Sequence, residues 1–323
     1  MDKCTKFIGI DISKDVFDVM DTKEVHRQYE NNNKGFMKFL KCIDSDHVCV
    51  MEATAYYHLR LAYFLFDNHL KVIVVNPLSV KRFVQMKLSK VKTDKADSKM
   101  IRLYAENNPL PLWQAHNSME LEALQITRLL DVYTKQSTAI KNKIHGEEVL
   151  GKPSAFVLKS LKRNLNQIQK EIVILESKLL EIVKSMHQQL LSHLESIPGI
   201  GRKTAIMLIV LTDGFKRFDS ASALCSYCGI TPVIKQSGSS VRGRARISKI
   251  GNQKLRNLLF LCSFTACQAN PACKALYERI VNKGKSKKLA LIAVSNKLLK
   301  QAFAISKSGI PYDKDYKSVY LPS

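Results

Sequence analysis

Cysteine is sparse: eight residues in a chain of 323, too few for a disulfide scaffold. Cys225 and Cys228 form one C-x-x-C, but no second C-x-x-C accompanies it and no histidine occurs after His193. The usual zinc companions are therefore missing, and small buried thiols in a reducing cytosol are expected. No uninterrupted apolar run reaches the ~18–20 residues that span a bilayer. No stretch pairs a lysine face with a Trp/Phe face, which argues against a membrane-surface helix. The opening MDKCTKFIGID runs straight into a strand-like pattern, unlike a secretory signal. The expectation is a cytoplasmic protein with no membrane partner.

Acids are scarce too, and unevenly so. Lys and Arg total 51 against 28 Asp and Glu, a net charge of +23. Residues 1–110 carry 18 bases and 14 acids, residues 111–190 carry 11 and 8, and residues 191–323 carry 22 and 6. The last stretch thus holds +16, and between Asp219 and Asp313 its only acid is Glu278. So positive a field suits a polyanion better than a small neutral substrate. Apolar residues make up 46% of the chain, enough for packed cores.

Three regions follow from the patterning: 1–112, 113–192 and 193–323. The first alternates strand and helix signals. Strands are predicted at 7–11, 16–20, 25–30, 48–52 and 71–75, and helices at 35–42, 56–66 and 94–107. Asn76-Pro77 reads as the end of the last strand. This is an α/β layer architecture. The second region is helical. Leu158, Leu161, Leu165, Ile168, Ile172, Leu175, Leu179, Ile182 and Met186 make about four heptads of a coiled-coil seam. A preceding helix over 119–145 could fold back on it, or the seam could dimerise. The third region is mainly α, with helices at 255–267 and 288–304 and a basic stretch at 237–249.

Asp11 closes the first strand and Glu52 the fourth, where side chains of an α/β sheet project into a ligand cleft. Asp94 and Asp97 share one face at a helix start. Four carboxylates from three elements repel one another unless a cation neutralises them, which is how Mg²⁺, or Mn²⁺ in its place, is held. Each also has a plainer reading, as a turn acid or a residue favouring a helix N-terminus. In the last region, IPGIGRKTA at 197–205 fits a helix–hairpin–helix. Gly199 and Gly201 would let backbone N–H groups approach a phosphate beside Lys203. Downstream, Ser237-Gly-Ser-Ser reads by itself as a flexible polar loop. A hydroxyl among Arg242, Arg244, Arg246 and Lys249 is nevertheless well placed for phosphoryl chemistry.

The wording FIGIDISKDVFDV, then MEATAYYH, then KTDKADSKMIRLYA, with GIGRKTA, GITP, SGSSVRG and RISKIGNQKLRNLL following in order, resembles the DEDD insertion-sequence transposases. This is the IS-one-ten family, with the Piv-type invertases among its members. A sugar-kinase or actin-like ATPase also ends its first strand in G-I-D, but it needs a Gly/Thr-rich loop that Ile12-Ser13-Lys14-Asp15 does not supply. The resemblance implies an RNase H-like, RuvC-like first domain in which Asp11, Glu52, Asp94 and Asp97 hold metal. It implies a serine domain in which Ser237, rather than Ser239, Ser240 or Ser248, attacks DNA. It further implies donor and target DNA, a structured non-coding guide RNA, and a dimer or tetramer in which the carboxylates of one chain meet the serine of another. Two other readings remain on residues alone: a RuvC-like nuclease using metal-activated water, and a non-catalytic nucleic-acid scaffold.

Overall fold

The computed structural model describes residues 6–88, 93–233, 236–237, 241–242 and 246–315, and the chain divides into two compact units, Met1–His116 and Asn117–Ser323. The first unit is built on a five-stranded sheet. Strands β1 (Lys6–Ile12), β2 (Val16–Met20) and β3 (His26–Glu30) form an antiparallel meander. Helix α1 (Asn33–Leu40) leads to β4 (His47–Glu52), and α2 (Tyr57–Asp67) to β5 (Lys71–Val75); β4 runs parallel to β1, and β5 to β4. Helices α3 (Pro77–Met86) and α4 (Asp94–Asn107) follow, and the strand order is β3-β2-β1-β4-β5.

The period-two alternation of the strands decides what each face carries. Ile8, Ile10, Ile12, Phe17, Val19, Cys49 and Met51 pack with Phe36, Phe39, Leu61 and Leu65 of α1 and α2. Val48, Val50, Ile73 and Val75 pack on the other face with Val80 of α3 and Ile101 and Ala105 of α4. Gly9, Asp11 and Glu52 alternate with residues of the first core, so they lie on the α4 face.

One strand-ending signal had a further meaning. Asn76-Pro77, read as a strand terminator, is also a helix start. The Asn76 side chain accepts a hydrogen bond from the Leu78 amide at 2.9 Å, and Pro77 opens α3. The predicted helix at 94–107 matches α4 to the residue, with the Thr93 hydroxyl accepting from the Ala96 amide as its cap.

The second unit begins with α5 (Ser118–Val149), started by a capping box between Asn117 and Glu120. Helix α6 (Ala155–Glu195) follows, then α7 (Arg202–Thr212) and α8 (Ala221–Cys228). Four two-residue strands come next: β6 (Pro232–Val233), β7 (Gln236–Ser237), β8 (Val241–Arg242) and β9 (Arg246–Ile247). Helices α9 (Gln253–Ala269), α10 (Pro271–Asn282) and α11 (Lys287–Ser308) complete it.

Sequence left open whether the heptad seam pairs within or between chains; in this chain α5 and α6 pack along one another. Ala123, Ile126 and Leu130 of α5 and Leu179, Ile182 and Val183 of α6 join one core with Leu208, Leu224, Leu259 and Leu298. The helical middle therefore shares its core with the carboxyl-terminal helices. α6 leaves helical geometry at His187, one residue past the last seam position. By length and composition α11 could cross a membrane, alone among the described residues. Its stripe of Val294, Leu298, Leu299, Ala302 and Ile305 is instead buried in this core.

Candidate active site

Register places the first unit's acids in a row. Asp11 of β1 pairs directly with Asp18 of β2, and Asp18 with Gln28 of β3. On the other side, Ile10 pairs with Met51, so Asp11 and Glu52 follow one residue on in neighbouring strands. Directly opposed residues point to the same face of a sheet, which here is the face that α4 covers.

Helix α4 brings the remaining two. Asp94 and Asp97 occupy its first turn, where they also complement the helix dipole. Closeness to β1 depends on Gly9, because a Cβ there would lie 2.0 Å from the Ser98 carbonyl oxygen of α4. Further along α4, Lys99 and Arg102 reach Glu24 at 2.8 and 3.5 Å, and Arg102 also donates to Glu106 at 2.7 Å.

The electrostatics record the convergence. Burial, then Asp97, Glu52, Asp94 and Asp18, push the Asp11 carboxyl up to about 6. The four leading charges acting on it are all acids. Glu52 is raised as well, by burial and then by Asp97. Clustered carboxylates with shifted pKa values need a cation or a shared proton. Hard oxygen donors without sulfur or imidazole among the four suit Mg²⁺ or Mn²⁺.

The predicted nucleophile lies in the second unit. The backbone of Ser237 pairs with Val241, and Gln236 with Arg242, while Pro232 pairs with Ile247 and Val233 with Arg246. Ser237 thus sits in a paired ladder, where sequence suggested a flexible loop. Arg242 and Arg246 lie on the returning strands; Arg244, Ser239 and Ser240 lie outside the described residues. The base of the hairpin is tied on both sides. The Ser248 amide donates to the Thr231 carbonyl at 3.1 Å, Lys249 to Gly229 at 3.2 Å and Asn252 to Tyr227 at 2.7 Å. Asn252 also caps α9 and donates to the Tyr227 hydroxyl, and Arg256 donates to the Cys228 carbonyl at 2.9 Å. The G-I-T-P and S-K-I-G-N stretches are therefore the two sides of this clamp. Cys225 and Cys228 are buried just before it, and burial pushes the Cys228 thiol up to about 12.

The segment between α6 and α7 has the sequence of the expected helix–hairpin–helix. Gly199, at φ +106°, is required for packing, since a Cβ there would meet Cβ of Ala266 on α9 at 2.6 Å. Gly201 faces open space and precedes α7, whose first turn has no side-chain cap. The neighbouring cations are engaged by acids: Lys203 with Glu176, and Arg202 with Glu195 at 2.7 Å.

Sequence reasoning passed over Gly9 and Asp18. The signal for Asp18 was present, as an acid inside the otherwise apolar strand Val16-Phe17-Asp18-Val19-Met20.

A transposase family of the DEDD type matches residues 8–150, and the transposase family described as IS116/IS110/IS902 matches residues 191–278. A pilin gene-inverting protein of Moraxella bovis is 30% identical over 95% of this chain and 98% of its own length. A transposase for insertion sequence element IS1111A of Coxiella burnetii is 23% identical over 90% of this chain and 83% of its own. A protein of insertion element IS110 from Streptomyces coelicolor is 30% identical over 49% of this chain. The DEDD match implies an RNase H-like fold, in keeping with the mixed α/β first unit.

Proposed function

Because this chain belongs to the IS116/IS110/IS902 transposase family and is a DNA-recombining enzyme, we propose that it cuts and rejoins DNA through a serine-linked intermediate supported by a divalent cation. The observation that carries the reading is the Asp11 site, a carboxyl raised to about 6 by burial and by four other acids. Asp11, Glu52, Asp94 and Asp97 would hold Mg²⁺ or Mn²⁺, which supplies neutralising charge at the scissile phosphate.

The Ser237 hydroxyl attacks phosphorus. A P–Oγ bond forms, the P–O3′ bond breaks, and the departing 3′ oxygen takes up a proton. The 3′-hydroxyl of a partner strand then attacks the phosphoserine, restoring a diester and freeing Ser237. One ester bond is exchanged for another at each step, so no external energy source is needed. Arg242, Arg244, Arg246 and Lys249 bind the phosphate and the charge that develops on its oxygens. Gly199, Gly201 and Lys203 contact the nucleic-acid backbone. Lys203 first gives up Glu176, an exposed pair that holds it weakly.

The resemblance extends the reading to a structured guide RNA and to an oligomer in which Ser237 comes from a second copy of the chain. The +16 carried by residues 191–323 supports polyanionic partners. The test is end-labelled element DNA incubated with the full chain, with and without EDTA. Cation-dependent strand cleavage that is lost in Asp11→Asn, with DNA binding retained, supports the reading. Cleavage that persists in Asp11→Asn overturns it.

A further inference from the structure

Asp18 is buried, with 4% of its surface exposed, yet it stands in an apolar strand between Phe17 and Val19. Three contacts hold its carboxylate. Oδ1 accepts from His26 Nε2 at 2.8 Å and from Gln28 Nε2 at 3.2 Å, and Oδ2 accepts from the same Gln28 nitrogen at 3.2 Å. His26 and Gln28 both belong to the edge strand β3, and Gln28 lies directly across from Asp18. On its other side Asp18 lies directly across from Asp11. Gln28, Asp18 and Asp11 therefore form one rung across three strands, on the face covered by α4.

We propose that Asp18, locked by His26 and Gln28 in the rung beside Asp11, is a positioning residue of the carboxylate site that adds its own negative charge to the field drawing the cation onto Asp11. The inference rests on the proposed metal-binding reading of that site. Burying a carboxylate is costly even when it is hydrogen-bonded. An Asn at position 18 would have nearly the same size, and its Oδ1 would still accept from His26 and Gln28. What the acid adds is charge, delivered one strand away from Asp11. A carboxylate offers about four lone-pair sites. The three contacts leave one of them on Oδ2 for a water or an adjacent ligand.

The experiment is Mn²⁺ binding to the DNA-free full chain, read from the electron paramagnetic resonance signal of free Mn²⁺. Groups that orient metal ligands typically contribute 10–100-fold in affinity, so Asp18→Asn is expected to weaken Mn²⁺ binding about tenfold. Its melting temperature and circular dichroism should remain those of a folded protein. Asp11→Asn is the reference for the metal site and should lose binding more severely. Wild-type affinity in folded Asp18→Asn, with Asp11→Asn impaired, overturns the inference and leaves the metal site standing. Equal binding by wild type and Asp11→Asn overturns the metal-site reading itself. If Asp18→Asn fails to fold, Gln28→Ala serves instead, since Gln28 is exposed and its loss frees one side of the lock. Weaker Mn²⁺ binding then supports the role, and unchanged binding overturns it.

Discussion

Gly9 and Ser98 meet backbone to backbone: a methyl group on Gly9 would lie 2.0 Å from the Ser98 carbonyl oxygen and 2.6 Å from the Arg102 amide nitrogen. This closeness sets the height of α4 above the sheet, and so the distance from Asp94 and Asp97 to Asp11. Neither partner atom belongs to a flexible side chain that could swing aside.

Gly9→Ala is therefore expected to push α4, with Asp94 and Asp97, outward from Asp11 while removing no carboxylate. Overpacking a well-filled site costs ~1–3 kcal/mol, so the melting temperature should fall by several degrees. Cation binding and strand cleavage should fall together. Calorimetric cation titration of the folded variant checks this, and wild-type affinity would contradict it.

In metal-free protein, Asp11 and Glu52 give stability a pH dependence of definite sign. Asp11 has a folded-state pKa of about 6 against an ordinary 3.8, so between these values the folded chain holds a proton that the unfolded chain releases. Stability from this group rises as pH falls from about 6 toward 4, and is lost as pH rises through about 6. Glu52 is shifted in the same direction. With EDTA present, Asp11→Asn should melt above wild type at pH 7, with the gap narrowing toward pH 4. A constant gap across that range would contradict the assignment.

Much of this was legible in the sequence because it rests on short-range chemistry. The four carboxylates were found from their places at strand ends and a helix start, since β1, β4 and α4 have strong local patterns. Gly9 was not legible, because the atoms it avoids belong to Ser98 and Arg102, some ninety residues on. Asp18 was visible as an acid in an apolar strand, but its meaning depended on cross-strand register. The heptad seam announced α6 correctly, yet its pattern does not say what covers it. In this chain α5 does, and Leu179, Ile182 and Val183 go on into the common core. The pairing of Ser237 with Val241 was not legible, because a two-residue ladder carries too little alternation to register as a strand.

The concentration of charge in residues 191–323 makes salt a direct probe. Each phosphate neutralised on duplex DNA contributes about −0.9 to the slope of log K against log salt. A steep negative slope is expected for the full chain, and Arg246→Ala should make it shallower by about one phosphate contact. Filter binding over a salt series measures this. A slope near zero would remove the polyanion argument.

The central claim is that Ser237 carries the DNA strand. Its most direct test is a denaturing gel of end-labelled DNA with the full chain and Mg²⁺, followed by mass spectrometry of the linked peptide. A DNA adduct mapping to Ser237, absent in Ser237→Ala and retained in Ser239→Ala and Ser240→Ala, is the predicted result, because only one hydroxyl can lie in line with the leaving oxygen. An adduct that maps to another serine, or cleavage by Ser237→Ala with no adduct at all, would contradict it.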